Sequence, residues 1–143
     1  ARETLVGRYR VPQPRVAMAE IVRAHASAAM DVSDGLAGDL TKLCGVSGVS
    51  AAIDLPSIPL SDAAKDLVSR GIVGTETLIA GGDDYEILCT IAEDRVEAFV
   101  EAAKRAGVPV SSIGTVVAGS TAPTFIDGQG REITLERRSY SHF

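Results

Sequence analysis

With 143 residues, 45% of them apolar, the chain is long enough to bury the core of one domain without disulfide staples. Its net charge is −5, and residues 31 to 101 hold fourteen acidic side chains against four basic ones, which excludes a basic nucleic-acid groove. No apolar run approaches the roughly 18–20 residues of a membrane span, so a soluble protein is expected.

In chain order, "ARETLVGRYRVPQPRV" reads as an extended arm, and its start suggests a cut at a domain boundary. Residues 1–14 are therefore expected to be a linker from a missing N-terminal domain, with 15–143 as one domain. "PRVAMAEIVRAHASA" predicts a helix that opens after a proline, with Val16, Ala19, Val22 and Ala26 at helical spacing. "SAAMDVS" predicts a strand. Asp34 stands at the expected N-cap of the next helix, whose apolar stripe is Leu36, Leu40 and Leu43 and which stops at Gly45 or Gly48.

"VSAAIDLPSIPL" predicts a strand that leaves into a proline-punctuated loop. Ser61 is the expected cap of the helix "DAAKDLVSR", ended by Gly71. Residues 72–82 read as a glycine-containing connection into the strand "DYEILCTIA". "EDRVEAFVEAAKRAG" is a helix with acids in its first turn, Lys104 and Arg105 in its last, and Gly107 as stop. "VSSIGTVV" predicts a strand, and "PTFID" with "EITLE" around "DGQG" predicts a hairpin. Early alternation and a late hairpin favour α+β: one mixed β-sheet with helices packed on it.

Two acidic segments carry the chemistry. The first, "AMDVSDGLAGDL" (29–40), has no lysine or arginine. In an extended strand Asp31 and Ser33 project from one face, and Asp34 follows at a turn that Gly35 allows to bend sharply. Three oxygen-bearing side chains can thus converge beside a helix N-terminus, whose N–H groups and dipole favour phosphate. Magnesium takes oxygen ligands, commonly one or two carboxylates plus substrate phosphates and waters, and the cluster suits it. The plainer reading makes Asp34 or Ser33 only a cap and Asp39 a solvated, structural helix residue.

The second segment is "AGGDDYEIL" (80–88). Two glycines allow close backbone approach, and Asp83 and Asp84 repel each other unless water, donors or a cation holds them apart. Asp83 could accept hydrogen bonds from a cationic or N–H-rich ligand, with Tyr85 stacking nearby; an ordinary turn with Tyr85 in the core is the alternative. Two such segments at strand ends favour a ligand site.

Other features are weaker. The sequence has no phosphate-binding G-x-x-x-x-G-K-[ST] loop and no zinc signature. His25 falls within a helix and is expected to be structural, and "GVSGVS" (45–50) is expected to be a turn. In the closing "SYSHF", Phe143 suits a docked tail and Tyr140 could cover a flat ligand. Cys44 and Cys89 lie far apart with no signal-peptide pattern in view, so a reduced, cytoplasmic setting is expected.

Together "VPQPR", "MDVSDGLAGDL", "GGDDYEIL" and "YSHF" resemble the C-terminal domain of the thiamine-monophosphate kinase family, in the right order and over nearly the whole chain. That family lies within the wider aminoimidazole ribonucleotide synthetase superfamily. The resemblance implies the superfamily's C-terminal-domain fold and transfer of the ATP γ-phosphoryl group to thiamine monophosphate, giving thiamine diphosphate. It makes Asp31 and Asp34 Mg²⁺ ligands, Ser33 an ATP contact, and Asp83 and Tyr140 substrate contacts. Many relatives carry Glu where this chain has the shorter Asp83. It implies a homodimer for the full-length protein, and negligible kinase activity for the 143-residue piece without an N-terminal domain. Two other readings are weighed: another superfamily enzyme (aminoimidazole ribonucleotide synthetase, selenophosphate synthetase or hydrogenase-maturation type), and a non-catalytic docking module.

Overall fold

The computed structural model describes residues 3, 6–7, 10–82 and 84–135. Glu3, Val6, Gly7 and Arg10 are helical, and the Val11 N–H donates to the Gly7 carbonyl at 3.0 Å. Residues 3, 6, 7 and 10 of the expected extended arm are therefore helical, whereas residues 11–15 are not. Only Pro12 and Pro14, which bias the residues before them toward extended backbone, stop the turn.

A 3₁₀ turn, Val16–Met18, leads into α1 (Ala19–His25) and directly into β1 (Ala26–Val32). Helix α2 (Leu36–Ser47) follows and ends at Gly48, whose φ of 66° turns the chain into β2 (Val49–Asp54). Asp34 lies one residue too early to cap α2. The cap position is Gly35, at φ 106°, and no side chain caps the helix there.

Ser61 does cap α3 (Asp62–Ser69): its side chain accepts the Ala64 N–H at 3.2 Å. The expected loop 72–82 contains a short helix, α4 (Thr75–Ile79), which buries Ile79. Strand β3 (Glu86–Ile91) precedes a 3₁₀ turn and α5 (Val96–Arg105), then β4 (Gly114–Ala118) and β5 (Thr124–Ile126).

The α+β class stands, but among the described residues the strands form two hydrogen-bonded groups rather than one sheet. Strand β1 pairs antiparallel with β3, while β2 lies between antiparallel β4 and parallel β5. One core joins them. Val32 and Leu88 from the first group and Ala51, Ile53 and Phe125 from the second pack with Ala37, Leu40 and Leu43 of α2. Helix α2 packs against strands of both groups and so joins them without a continuous ladder.

A smaller cluster of Met18, Phe99 and Ala103 packs with Cys89 and Ile91 of β3. His25 belongs there as expected, its ring edge-on to Phe99 at 6.2 Å between centroids. The late hairpin closes through Ile133 N–H to Phe125 C=O at 2.8 Å, but among the described residues its return limb makes a single bridge, Ile126↔Glu132. Asp127 organises the turn by accepting the N–H groups of Gln129 and Arg131 and the Arg131 guanidinium, which hold its carboxyl below the usual range.

Candidate functional site

The β1–β3 ladder brings the two acidic segments to one end of the molecule. Asp31 faces Ile87 and Val32 faces Glu86 across the pair, and the Tyr85 N–H extends it by donating to the Val32 carbonyl at 2.9 Å. Beyond the ladder the loops touch backbone to backbone. A Cβ at Gly82 would stand 2.6 Å from the Ser33 carbonyl oxygen, and one at Gly35 would stand 2.7 Å from that of Gly81. Only hydrogen at both positions lets the segments "DVSDG" and "AGGDD" lie together.

The organiser of the first loop is Asp39, 0% exposed. One of its oxygens, Oδ2, accepts the Ser33 and Asp34 N–H groups, each at 2.9 Å, and Oδ1 accepts from Lys42 Nζ at 2.9 Å. Burial alone would push this carboxyl up. Bonds from Lys42 and from the Asp34 and Ser33 N–H groups outweigh it and hold the pKa below the ordinary carboxylate value. The expectation of a solvated Asp39 is corrected: the residue is structural, but buried.

Lys42 Nζ also lies 2.5 Å from Asp34 Oδ2. The two carboxylates raise the Lys42 pKa, Asp34 first and Asp39 second. The charge of the first segment, uncompensated over residues 29–40, is thus partly met from two residues further along α2.

At the second loop Tyr85 has φ 51° and is 40% exposed, so it is not a core residue. Glu86, the first residue of β3, takes a two-pronged ion pair from Arg15, with Nε at 2.8 Å and Nη2 at 2.6 Å. That pair ties the "VPQPR" segment to the "GGDDYE" segment.

Of the sequence-predicted residues, the structure brings Asp31, Ser33 and Asp34 to this end, with Asp31 exposed on β1 and Asp34 partly exposed beside Lys42. Asp83 and Tyr140 lie outside the described residues. Reasoning from sequence missed Lys42, Arg15 and the burial of Asp39; the Asp39–Lys42 spacing of three residues on one helix face was the available clue.

Among the described residues no group of three or more His, Cys, Asp or Glu side chains could cage a metal. Asp31, exposed, and Asp34, partly exposed and paired with Lys42, are carboxylates of the hard-oxygen kind that Mg²⁺ takes together with waters and phosphate oxygens. Neither of two shallow cavities, one of about 230 Å³ lined by Leu43, Cys44 and Val116, the other of about 350 Å³ lined by Leu55, Ile58 and Thr75, includes these residues. No helix among the described residues is long and apolar enough to cross a membrane.

A sequence model of the family described as "AIR synthase related protein, C-terminal domain" matches residues 6–125. The chain is 40% identical over 141 residues to a thiamine-monophosphate kinase of Caulobacter vibrioides, covering 96% of this chain and 40% of that protein. Among solved structures it is similar to the thiamine-monophosphate kinase of Stenotrophomonas maltophilia K279a, with TM-score 0.74, 35% identity, and coverage of 85% of this chain and 37% of that one. It is also similar to a structure described as AaThiL complexed with AMPPCP and TMP, with TM-score 0.78, 28% identity, and coverage of 98% and 41%.

Proposed function

Since this chain belongs to the AIR synthase related protein, C-terminal domain family, we propose that it is the C-terminal part of a thiamine-monophosphate kinase. It spans about two-fifths of the length of the kinases it matches, and the remainder would be an N-terminal domain joined through residues 1–14. The whole protein would transfer the ATP γ-phosphoryl group to thiamine monophosphate. A cytoplasmic homodimer is part of the same proposal.

The carrying observation is the backbone contact at Gly82 and Ser33, which makes one surface of two acidic segments far apart in sequence. In the proposed site Asp31 and Asp34 would hold Mg²⁺, which would supply charge neutralisation for the phosphate groups. Ser33 would contact the nucleotide, and Asp83 and Tyr140 the thiamine part of the substrate. Asp39 keeps the Ser33–Asp34 backbone in one conformation, so the donors are held before any ligand arrives. Phosphoryl transfer asks mainly for such positioning and for electrostatic stabilisation. A relative described as complexed with AMPPCP and TMP supports the pairing of nucleotide and thiamine phosphate.

The test is Asp31→Ala and Asp34→Ala in the full-length protein, with calorimetry of Mg²⁺ and AMPPCP binding and a steady-state assay. We expect each to weaken Mg²⁺-dependent nucleotide binding at least about tenfold and to lower kcat by about 100-fold or more. Unchanged binding in both variants would favour a docking module instead. A second discriminator is Asp83→Ala, which should weaken thiamine monophosphate binding; a superfamily enzyme of another specificity would not bind that compound at all.

A further inference from the structure

We infer that Lys42 is a built-in counter-cation of the Asp31–Asp34 turn, holding the Asp34 carboxylate in the ligand-free protein and releasing it when Mg²⁺ binds. This deepens the proposed function and rests on its reading of Asp34 as a metal ligand.

Lys42 has two partners of different character. Asp39 is fully buried, and its Oδ1 needs a donor whatever is bound outside; Lys42 Nζ supplies one at 2.9 Å. The Asp34 side chain is 43% exposed, and the same Nζ reaches its Oδ2 at 2.5 Å. The first bond is permanent and the second is exchangeable. A lysine suits this role because it carries a compact charge on a flexible stem. Its own side chain is 51% exposed, so Nζ can swing off Asp34 toward water without burying its charge.

Lys42 Nζ holds one of the two Asp34 oxygens, Oδ2, and an ammonium and Mg²⁺ on one carboxylate repel each other whichever oxygen each takes. Lys42 thus steadies the empty turn and weakens the first metal encounter, favouring an ion that arrives already carrying phosphate. Exposed ion pairs are weak, so the competition amounts to at most about fivefold in affinity.

The experiment is calorimetry of Mg²⁺ alone on the full-length protein and its Lys42→Met, Lys42→Arg and Asp34→Asn variants. Lys42→Met should tighten Mg²⁺ binding by about three- to fivefold, while Lys42→Arg, which keeps the charge, should leave it near the parent value. Should Lys42→Met fail to fold because Asp39 loses its partner, Lys42→Gln, which drops the charge but keeps an N–H donor for Asp39, should show the same tightening. Unchanged or weaker Mg²⁺ binding without Lys42, together with loss of binding in Asp34→Asn, would overturn this inference alone. Unchanged binding in Asp34→Asn would overturn the metal-ligand reading and this inference with it.

Discussion

Asp39 puts a carboxylate into a fully buried position, which is tolerated because each of its oxygens is met: two backbone N–H groups on one, an ammonium on the other. Replacing it with alanine strands those donors, and about 3 kcal/mol of stability should be lost, as read from denaturant midpoints at constant m-value. Its pKa is depressed in the folded protein. The bonded carboxylate therefore contributes stability above the unfolded-state pKa of about 4, and that contribution is lost as pH falls through the lower folded value. Acid titration of the parent should show a stability loss below about pH 4 that is smaller in Asp39→Asn. Little in the residue order warns of this. Asp39 sits one residue before Leu40, on a helix whose polar positions look alike until the fold shows which of them turn inward.

Among the elements, the two loops are the tightest fit. Gly82→Ala would drive a Cβ to 2.6 Å from the Ser33 carbonyl oxygen, so one loop must move. We expect about 1–2 kcal/mol of destabilisation and at least about a tenfold loss of nucleotide affinity, measured separately by denaturation and calorimetry. Arg15 and Glu86 join the two ends of this unit, and Glu86 is 42% exposed, so screening reduces what the pair contributes. A double-mutant cycle with Arg15→Glu and Glu86→Arg should give a coupling of about 1 kcal/mol, with partial recovery in the double swap.

The elements readable from sequence were those with a local cause: α3 with its Ser61 cap, α5 with its charge gradient and Gly107 stop, and β1. Helix α4 escaped notice because five residues are too few to display a period. The division into two strand groups also escaped, because each partner choice is made across long stretches of chain. In the candidate site, the carboxylates were visible as residue types, whereas Lys42 and Arg15 became relevant only once the backbone had folded.

For the whole molecule, the chain's two-fifths share of the kinases it matches sets the expectation that the 143-residue piece alone forms no detectable thiamine diphosphate, while the full-length protein does. Robust turnover by the purified piece would refute that. The antiparallel pairing of β1 with β3 has a kinetic side as well. It joins Val32 to Glu86 across more than fifty intervening residues, and neither acidic loop has its partner until that closure is made. Partly folded chains should therefore have no affinity to lose. Ligand in excess should slow amide hydrogen exchange most at Met30–Val32 and Ile87–Leu88, so that occupancy of the surface and survival of the fold are read from the same few protons.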